Sequence, residues 1–374
     1  MKFETRAIHA GLNIGNPSSS VVPPISPSTI FEIDTEGRDE NDLHYTRLGN
    51  PNRLQFEAVI ASLENGAAAA AFSSGIAAAT AVLQALDPGD HIIIPEDVYA
   101  GNRKMVKNIM NRWGLESSFI DMTSIDEIQN YIKTDTKLIW METPSNPLMR
   151  ITDIGAVTRI AKSQNIKTVV DNTWPTPVNQ LPLELGADLV IHSTSKYFGG
   201  HSDILGGAIV AAEDDEFFER IRLIQKMAGA VPSPQDCWML SRSTRTLAYR
   251  MRGHNEHARM VADFLFNHKK VESVFYPGLE SHPGHEIAKK QMQGFGGMIS
   301  FLAGKDAAEA VQIVGRSKLI KRATSLGGVE STWEHRQSSE GDGSVSPDTM
   351  IRMSVGLEHP DDIIEDLEMA LHLF

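Results

Sequence analysis

The chain has 374 residues, more than one compact domain usually contains, and this length predicts a large domain and a smaller one. Its net charge of −13 disfavours nucleic acid and anionic membranes as partners, because both bind positive surfaces. The single cysteine, Cys237, excludes an intramolecular disulfide and a cysteine-based metal site. No apolar run is long enough to span a membrane and the N-terminus lacks an apolar leader, so we expect a cytoplasmic protein.

Residues 1–52 predict an extended N-terminal arm. The stretch VVPPISPSTIF is rich in proline and serine, and four prolines lie between Pro17 and Pro27. Proline lacks a backbone donor and disfavours helix, which leaves such a segment free to wrap around another surface. We therefore expect the arm to contact a neighbouring subunit.

Residues 53–244 predict a doubly wound α/β domain. Helical periodicity in NRLQFEAVIASLENG and SGIAAATAVLQAL alternates with short apolar strands, which are AAAAAF, HIIIPE, SSFIDM, KLIWMET, KTVVDNT, DLVIHST and GGAIVAA. This alternation favours a mostly parallel sheet, whose ligands bind at the carboxyl ends of its strands. Residues 245–374 start with a long helix, TLAYRMRGHNEHARMVADFLFNH, and predict a smaller α+β domain.

Three segments at predicted strand ends carry the candidate functional residues. Ser74, Gly75 and Ile76 lie where a helix begins, and backbone amides there can bind a phosphate or simply receive a serine cap. Asp171 ends the strand in KTVVDNT and requires a partner, either a neighbouring base or a protonated pyridine. Lys196 follows the next strand, and it is either a solvated lysine or the amine that forms a Schiff base with an aldehyde cofactor.

Taken together, the three segments favour pyridoxal phosphate as cofactor. A phosphate loop, a carboxylate for the pyridine nitrogen and a lysine for the aldehyde are the contacts that this cofactor requires. The hydroxyls of Ser193 and Ser195 flank Lys196 and could hold the phosphate. Tyr99, in EDVYAGN, is placed either to stack on the ring or to lie at the rim of the site.

The chain resembles the pyridoxal-phosphate enzymes of cysteine and methionine metabolism, the trans-sulfuration family. The motifs that carry the resemblance run in family order along almost the whole chain, and they are AIHAG, YTRLGNPNR, SSGIAA, DVYAG, METPSNP, VVDNTW, HSTSKYFGGHSD, SLGGVES and IRMSVGLE. The resemblance implies fold type I, the aspartate-aminotransferase-like fold. It also implies an amino-acid substrate and a homotetramer built from two active dimers.

Specific roles also follow from the resemblance. Lys196 would form the Schiff base, Asp171 would pair with the pyridine nitrogen, and Tyr99 would stack on the ring and act as acid or base. The remaining cofactor contacts would come from Ser74, Gly75, Ile76, Asn146, Ser193, Ser195 and, across the dimer, Tyr45 and Arg47. The substrate would be bound by Ser325 and Arg352 at its α-carboxylate, with Tyr45 and Asn146 close by.

The activity that the resemblance implies is cleavage or exchange at the γ-carbon, as in cystathionine γ-lyase or γ-synthase. Methionine γ-lyase, cystathionine β-lyase and a γ-enzyme for an unusual amino acid remain as alternatives. Two positions depart from the family pattern, because Thr324 and His44 stand where acidic residues are expected. Lys104 could meet a distal carboxylate, and residues 331–343 either shape the substrate entrance or form a surface loop.

Two further patterns do not indicate a binding site. His254 and His257 lie three residues apart on a predicted helix, but no third metal ligand is evident, so we predict no metal site. The glycine-rich QGFGGMISF lacks the dinucleotide-binding spacing and precedes a strand.

Overall fold

The protein folds around two β-sheets, seen here in a computed structural model that describes residues 1–16, 20–33, 43–341 and 344–372. The strands are β1 (Ala68–Phe72), β2 (His91–Pro95), β3 (Glu116–Ile120), β4 (Thr136–Glu142), β5 (Lys167–Asp171), β6 (Leu189–His192), β7 (Gly207–Ala211), β8 (Val271–Phe275), β9 (Met298–Ala303), β10 (Lys321–Arg322), β11 (Thr332–His335) and β12 (Met350–Ser354). The helices are α1 (Phe3–His9), α2 (Pro51–Glu64), α3 (Gly75–Gln84), α4 (Ala100–Asn108), α5 (Ile125–Tyr131), α6 (Ile154–Ser163), α7 (Thr176–Asn179), α8 (Glu216–Ala228), α9 (Pro234–Thr244), α10 (Leu247–Asn267), α11 (His285–Gln291), α12 (Ala307–Arg316), α13 (Arg336–Glu340) and α14 (Pro360–His372).

The large sheet has seven strands in the order β1-β7-β6-β5-β4-β2-β3. The pairs among β2 to β6 are parallel, whereas β7 runs antiparallel to both β1 and β6. Helices cover both faces, so the central strands are buried and read as continuous apolar runs. The predicted doubly wound, mostly parallel sheet is confirmed, and its parallel strands place their carboxyl ends along one edge.

The second sheet has five strands in the order β10-β11-β12-β9-β8. Its apolar side chains pack with those of α10, α12 and α14 in a core of their own, which contains Phe301, Trp333 and Leu367. This is the α+β unit expected near the C-terminus. The boundaries after residues 52 and 244 stay predictions.

The arm is only partly extended. Residues Phe3–His9 form α1, and Ala7 packs in the same core cluster as Phe56 of α2. The sequence analysis missed this helix because seven residues give too short a periodic pattern to separate from a loop. Pro17 lies outside the described residues, whereas Val21 is 86% exposed and Val22 is 50% exposed.

The two remaining sequence patterns have simple structural outcomes. His254 and His257 of α10 each contact a backbone carbonyl, of Val355 at 2.8 Å and of Gly356 at 3.2 Å. Among the described residues no cluster of histidine, cysteine and acidic side chains could hold a metal ion. Within the same ranges, no helix has the length and apolar character needed to cross a membrane.

Candidate active site

A cavity of about 660 Å³ lies at the carboxyl ends of β4, β5 and β6. It is lined by eleven of the thirteen predicted site residues, which are Ser74, Gly75, Ile76, Tyr99, Asn146, Asp171, Ser193, Ser195, Lys196, Ser325 and Arg352. Residues more than 250 positions apart in the chain therefore meet in one place. Shared carboxyl ends of the parallel strands account for Asp171, Ser193, Ser195 and Lys196, whereas Arg352 comes from β12 of the second sheet.

Tyr45 and Arg47 do not line this cavity. The Nη1 of Arg47 donates to the backbone carbonyl of Lys226 at 2.7 Å, and its guanidinium lies 5.7 Å from the ring centroid of Tyr45. Tyr45 is 41% exposed and is not part of the lining of the chain's own cavity. Their action across a dimer stays a prediction.

One end of the cavity is built to hold an anion. Ser74 caps α3, its Oγ accepting from the backbone N–H of Ala77 at 3.1 Å, so the next amides lie in the first turn of a helix and lack intrahelical acceptors. A Cβ on Gly75 would lie 2.8 Å from the Cβ of Ser193 and 3.0 Å from its Oγ. Glycine is thus required for the helix end to approach the β6 end this closely. The arrangement fits a phosphate group.

Two acidic side chains lie side by side further along the cavity. Asp171 and Glu142 are paired residues at the ends of β5 and β4, and Asp171 accepts from the backbone N–H of Thr173 at 3.0 Å. Burial raises the pKa of Asp171, and burial together with Asp171 raises that of Glu142 well above its ordinary value. A protonated ring nitrogen beside Asp171 would supply the missing positive charge, so the pair fits a pyridinium.

Glu142 was missed in the sequence analysis. Its carboxylate accepts from the backbone N–H of Tyr99 at 2.9 Å and thereby fixes the start of α4. The signal was available, because Glu142 ends the strand KLIWMET in the same way that Asp171 ends KTVVDNT.

Lys196 lies in the turn after β6 with its amine directed into the cavity. Its Nζ donates to the Oγ of Ser325 at 2.7 Å. Ser325 has a φ of 83°, an uncommon conformation for a residue with a side chain. Burial, with the nearby Arg352, lowers the pKa of Lys196 to about 8. A neutral amine is therefore accessible near physiological pH, which is what attack on an aldehyde or removal of a proton requires.

The sequence model of the family described as Cys/Met metabolism PLP-dependent enzymes matches residues 4–372. The chain belongs to this family. A cystathionine gamma-synthase of Mycobacterium tuberculosis is 45% identical over 375 residues, covering 98% of this chain and 96% of the relative. A cystathionine gamma-lyase of Bacillus subtilis is 41% identical over 384 residues, covering 99% of each chain. The crystal structure of metB from Corynebacterium glutamicum has a TM-score of 0.97 at 41% identity, covering 100% of this chain and 98% of that one.

These findings confirm the predicted family, fold and cofactor. As a member of the Cys/Met family, the protein is a pyridoxal-phosphate enzyme. The cavity agrees with this cofactor at three points, namely the helix end at Gly75, the acid at Asp171 and the amine at Lys196. The individual residue roles stay proposals.

Arg352, on β12, is a buried cation that lines the cavity. Its Nη1 donates to the Oδ1 of Asn146 at 3.0 Å, and its Nη2 donates to the carbonyl of Ser325 at 3.2 Å. The side chain is only 4% exposed, and burial with the nearby Arg336 lowers its pKa to about 10. Arg352 therefore stays charged at neutral pH and can receive a carboxylate.

Residues 332–340 form one side of the cavity. The interpretation of this stretch as a surface loop was therefore wrong. These residues make up β11 and α13, and Trp333 is 1% exposed. Thr332 and Arg336 line the cavity. The end of the segment, residues 342 and 343, lies outside the described residues.

Thr324 and His44, the two departures from the family pattern, differ in whether they line the cavity. Thr324 lines the cavity, whereas His44 does not. Lys104 is also outside the lining, and its Nζ donates to the backbone carbonyl of Glu340 at 3.0 Å. Contact of Lys104 with a distal carboxylate therefore has no support in this geometry. Arg336, which lies within residues 331–343, is a second buried arginine that lines the cavity.

The lowered pKa of Lys196 leads to a test on the cofactor-free protein. Burial and Arg352 disfavour the ammonium form, so the amine is mostly protonated below about pH 8 and mostly neutral above it. We expect the rate of acylation of Lys196 by an amine-specific reagent, followed by peptide mass spectrometry, to rise with a midpoint near pH 8. The same chain unfolded in urea is the control. A midpoint in the folded protein at the ordinary lysine value of about 10.4 would contradict this assignment.

Proposed function

We propose that this enzyme acts at the γ-carbon of an amino acid, either eliminating or replacing a γ-substituent, in the manner of a cystathionine γ-synthase or γ-lyase. The contact that carries the proposal is made by Ser325. Its hydroxyl accepts from Lys196 and its carbonyl accepts from Arg352, so the proton-transferring amine and the carboxylate-binding cation share one residue. A substrate held by Arg352 thus presents its α-carbon beside Lys196.

Each group in the cavity has a task in this reaction. Arg352 binds the α-carboxylate, and Asn146 holds the guanidinium in place. When bound, pyridoxal phosphate supplies the electron sink that acidifies the bonds at the α-carbon. Lys196, as a neutral amine, would remove the α-proton, pass it to the bound cofactor and, neutral again, take the proton that must leave the β-carbon in γ-chemistry. Tyr99 lines the cavity and is 46% exposed, and in this proposal it would protonate the departing group.

We also propose that the working unit is an oligomer, with two active dimers forming a tetramer in the cytoplasm. The arm carries exposed apolar side chains at Val21 and Val22, which a partner subunit would cover. Tyr45 and Arg47 belong to this arm and lie outside the lining of their own cavity, so they could complete the phosphate site of the adjacent subunit.

A parallel product assay tests the reaction class. The purified, cofactor-loaded enzyme is given cystathionine, methionine, homocysteine, cysteine and O-succinyl-homoserine, the last with and without cysteine. We expect 2-oxobutanoate from a γ-substituted substrate, or cystathionine from the pair. Pyruvate without 2-oxobutanoate would identify a β-lyase and overturn the proposal. If every substrate were inert in a protein that still binds the cofactor, a γ-enzyme for an unusual amino acid would replace it, with Thr324 and His44 as the residues to examine.

A further inference from the structure

Behind Arg352 lies a row of buried charges to which the proposed reaction assigns no role. The Oε1 of Glu334 is 2.5 Å from the Nη2 of Arg352 and accepts from the Nη1 of Arg336 at 2.8 Å. The Nη2 of Arg336 lies 3.2 Å from the Oε1 of Glu340. All four side chains are no more than 5% exposed. One carboxylate oxygen thus joins two guanidiniums, in a place where unpaired charge is costly.

Counting the donors of Arg352 shows that its carboxylate-binding side is already in use. A guanidinium has five N–H groups, and a bidentate carboxylate takes one from Nη2 together with one from Nη1 or Nε. One Nη2 hydrogen is donated to the carbonyl of Ser325 and one Nη1 hydrogen to Asn146, while the Oε1 of Glu334 lies 2.5 Å from Nη2 in an ion pair and occupies the remaining space beside that nitrogen. A substrate carboxylate that binds in the bidentate manner must therefore displace Ser325 or Glu334 from Nη2.

Glu334 is the group that can give way. The carbonyl of Ser325 belongs to a backbone that adjoins the turn at Gly327, and it is neutral, so it does not repel the incoming carboxylate. Glu334 carries the same charge as the substrate's carboxylate and already has a second partner in Arg336. Although burial opposes ionisation, the guanidiniums of Arg352 and Arg336 hold the pKa of Glu334 below its ordinary value. Glu334 thus remains an anion that needs a cation wherever it lies.

Arg336 is held in place from its other side. It forms an i,i+4 ion pair with Glu340 along α13, and the Oε2 of Glu340 accepts from the Oγ of Ser346 at 2.7 Å. Lys104 of α4 donates to the backbone carbonyl of Glu340, and this hydrogen bond connects α13 with α4. These contacts fix the guanidinium beside Glu334 rather than leaving it free to follow the substrate.

We propose that Glu334 is an internal stand-in for the substrate's α-carboxylate on Arg352, and that Arg336 is a positioning residue that retains Glu334 when the substrate takes its place. The inference rests on the proposed role of Arg352 in carboxylate binding. An amino acid enters as a zwitterion at neutral pH, so its binding adds no net charge to the site as a whole. Arg336 thereby sets how strongly Glu334 competes with the substrate.

Substitution of Arg336 should weaken carboxylate binding through Glu334. In Arg336→Gln, Glu334 keeps only Arg352 as a cationic partner and competes more strongly with the ligand. We expect the affinity of the holoenzyme for L-norvaline, which has no leaving group, to fall about tenfold or more, the scale of one charge-assisted hydrogen bond. Arg336→Lys keeps a cation and should retain most of the affinity. Calorimetry gives the dissociation constants without requiring turnover.

The decisive variant is the double substitution Glu334→Gln/Arg336→Gln. Once Glu334 is neutral it no longer competes as an anion, so the double variant should recover most of the affinity lost in Arg336→Gln. L-norvalinamide, which lacks the carboxylate, should bind wild type and all variants with similar affinity. The matched control is Arg259→Gln, which removes an arginine from an exposed i,i+4 pair with Asp263 on α10 and should change neither affinity.

Four outcomes would overturn the inference. Equal weakening of norvaline and norvalinamide would mean that Arg336 only supports packing. A double variant as weak as Arg336→Gln would mean that Arg336 does not act through Glu334, and a defect confined to substrates with a second anionic group would mean that Arg336 binds them directly. If Arg336→Gln fails to fold, Glu334→Gln is compared with wild type, because removing the competing anion should not weaken norvaline binding and a lower affinity would contradict the inference. Wild type that does not prefer norvaline over norvalinamide removes Arg352 as the carboxylate site, whereas failure of the γ-product assay alone leaves the inference standing.

Discussion

Replacement of Lys196 by alanine is expected to reduce kcat by at least about 10⁴-fold, because one side chain serves both as the attachment point of the cofactor and as the proton carrier. The amine lies in the cavity, where its Nζ donates to Ser325. Glu142 and Asp171 also lie in the cavity, but each accepts a hydrogen bond from a backbone N–H, so neither replaces the amine of Lys196. Turnover of whichever substrate proves active in the product assay provides the measurement. Reduction with borohydride should trap the cofactor on Lys196 in wild type and leave no labelled peptide in the variant.

Two further variants test whether the effect at Lys196 comes from its Schiff-base chemistry, from its positive charge or from the loss of any lysine. Lys196→Arg keeps a positive charge but cannot form a Schiff base under these conditions, so it should be as inactive as Lys196→Ala. Lys137→Ala removes an exposed lysine at the opposite end of β4 and should behave as wild type. Activity of Lys196→Ala within tenfold of wild type, or borohydride labelling at another lysine, would remove Lys196 from the proposed role.

Replacement of Arg352 by methionine is the second change with a large expected effect. It removes the cation proposed to bind the α-carboxylate and leaves Glu334 with Arg336 as its remaining guanidinium partner. Loss of one member of a buried charge pair typically costs roughly 3–5 kcal/mol, so we expect kcat/KM to fall about 10²- to 10⁴-fold. Steady-state kinetics across substrate concentrations measures this, and denaturant unfolding of the same preparations measures the accompanying loss of stability.

The matched variant Arg352→Lys retains a charge but not the planar pair of donors. It should keep more of the stability than of the kcat/KM, because a lysine can neutralise Glu334 without binding a carboxylate in the bidentate manner. If Arg352→Met lost stability while kcat/KM stayed within about twofold of wild type, Arg352 would be a structural counter-ion for Glu334 and not a substrate contact.

Local sequence patterns were sufficient for the cofactor end of the site. Asp171 and Lys196 were found from the rule that ligands meet the carboxyl ends of parallel strands, and Gly75 was found from a serine and a glycine at the start of a helix. Each of these signals lies within about ten residues, where hydrophobic periodicity and turn residues are informative. Glu142 obeys the same rule and could have been included.

The substrate end depended on longer-range contacts. Ser325 and Arg352 were named only through family motifs, since nothing in their local sequence distinguishes them from other polar residues. Glu334 and Arg352 lie opposite each other because β11 and β12 pair in one particular register. A shift of one residue would direct either side chain to the other face of the sheet. The position of Arg336 depends on that register and on the short helix that follows it.

The amino-acid sequence by itself thus determined the family, the fold class, the cofactor and the residues at the ends of the parallel strands, because local periodicity and contiguous motifs encode them. Only the tertiary structure showed that residues 332–340 form one side of the cavity, that Lys104 lies outside the lining and that Glu334 forms an ion pair with Arg352. These three features depend on strand register and on contacts between segments far apart in the chain. A short stretch of sequence does not determine the free energy of such contacts.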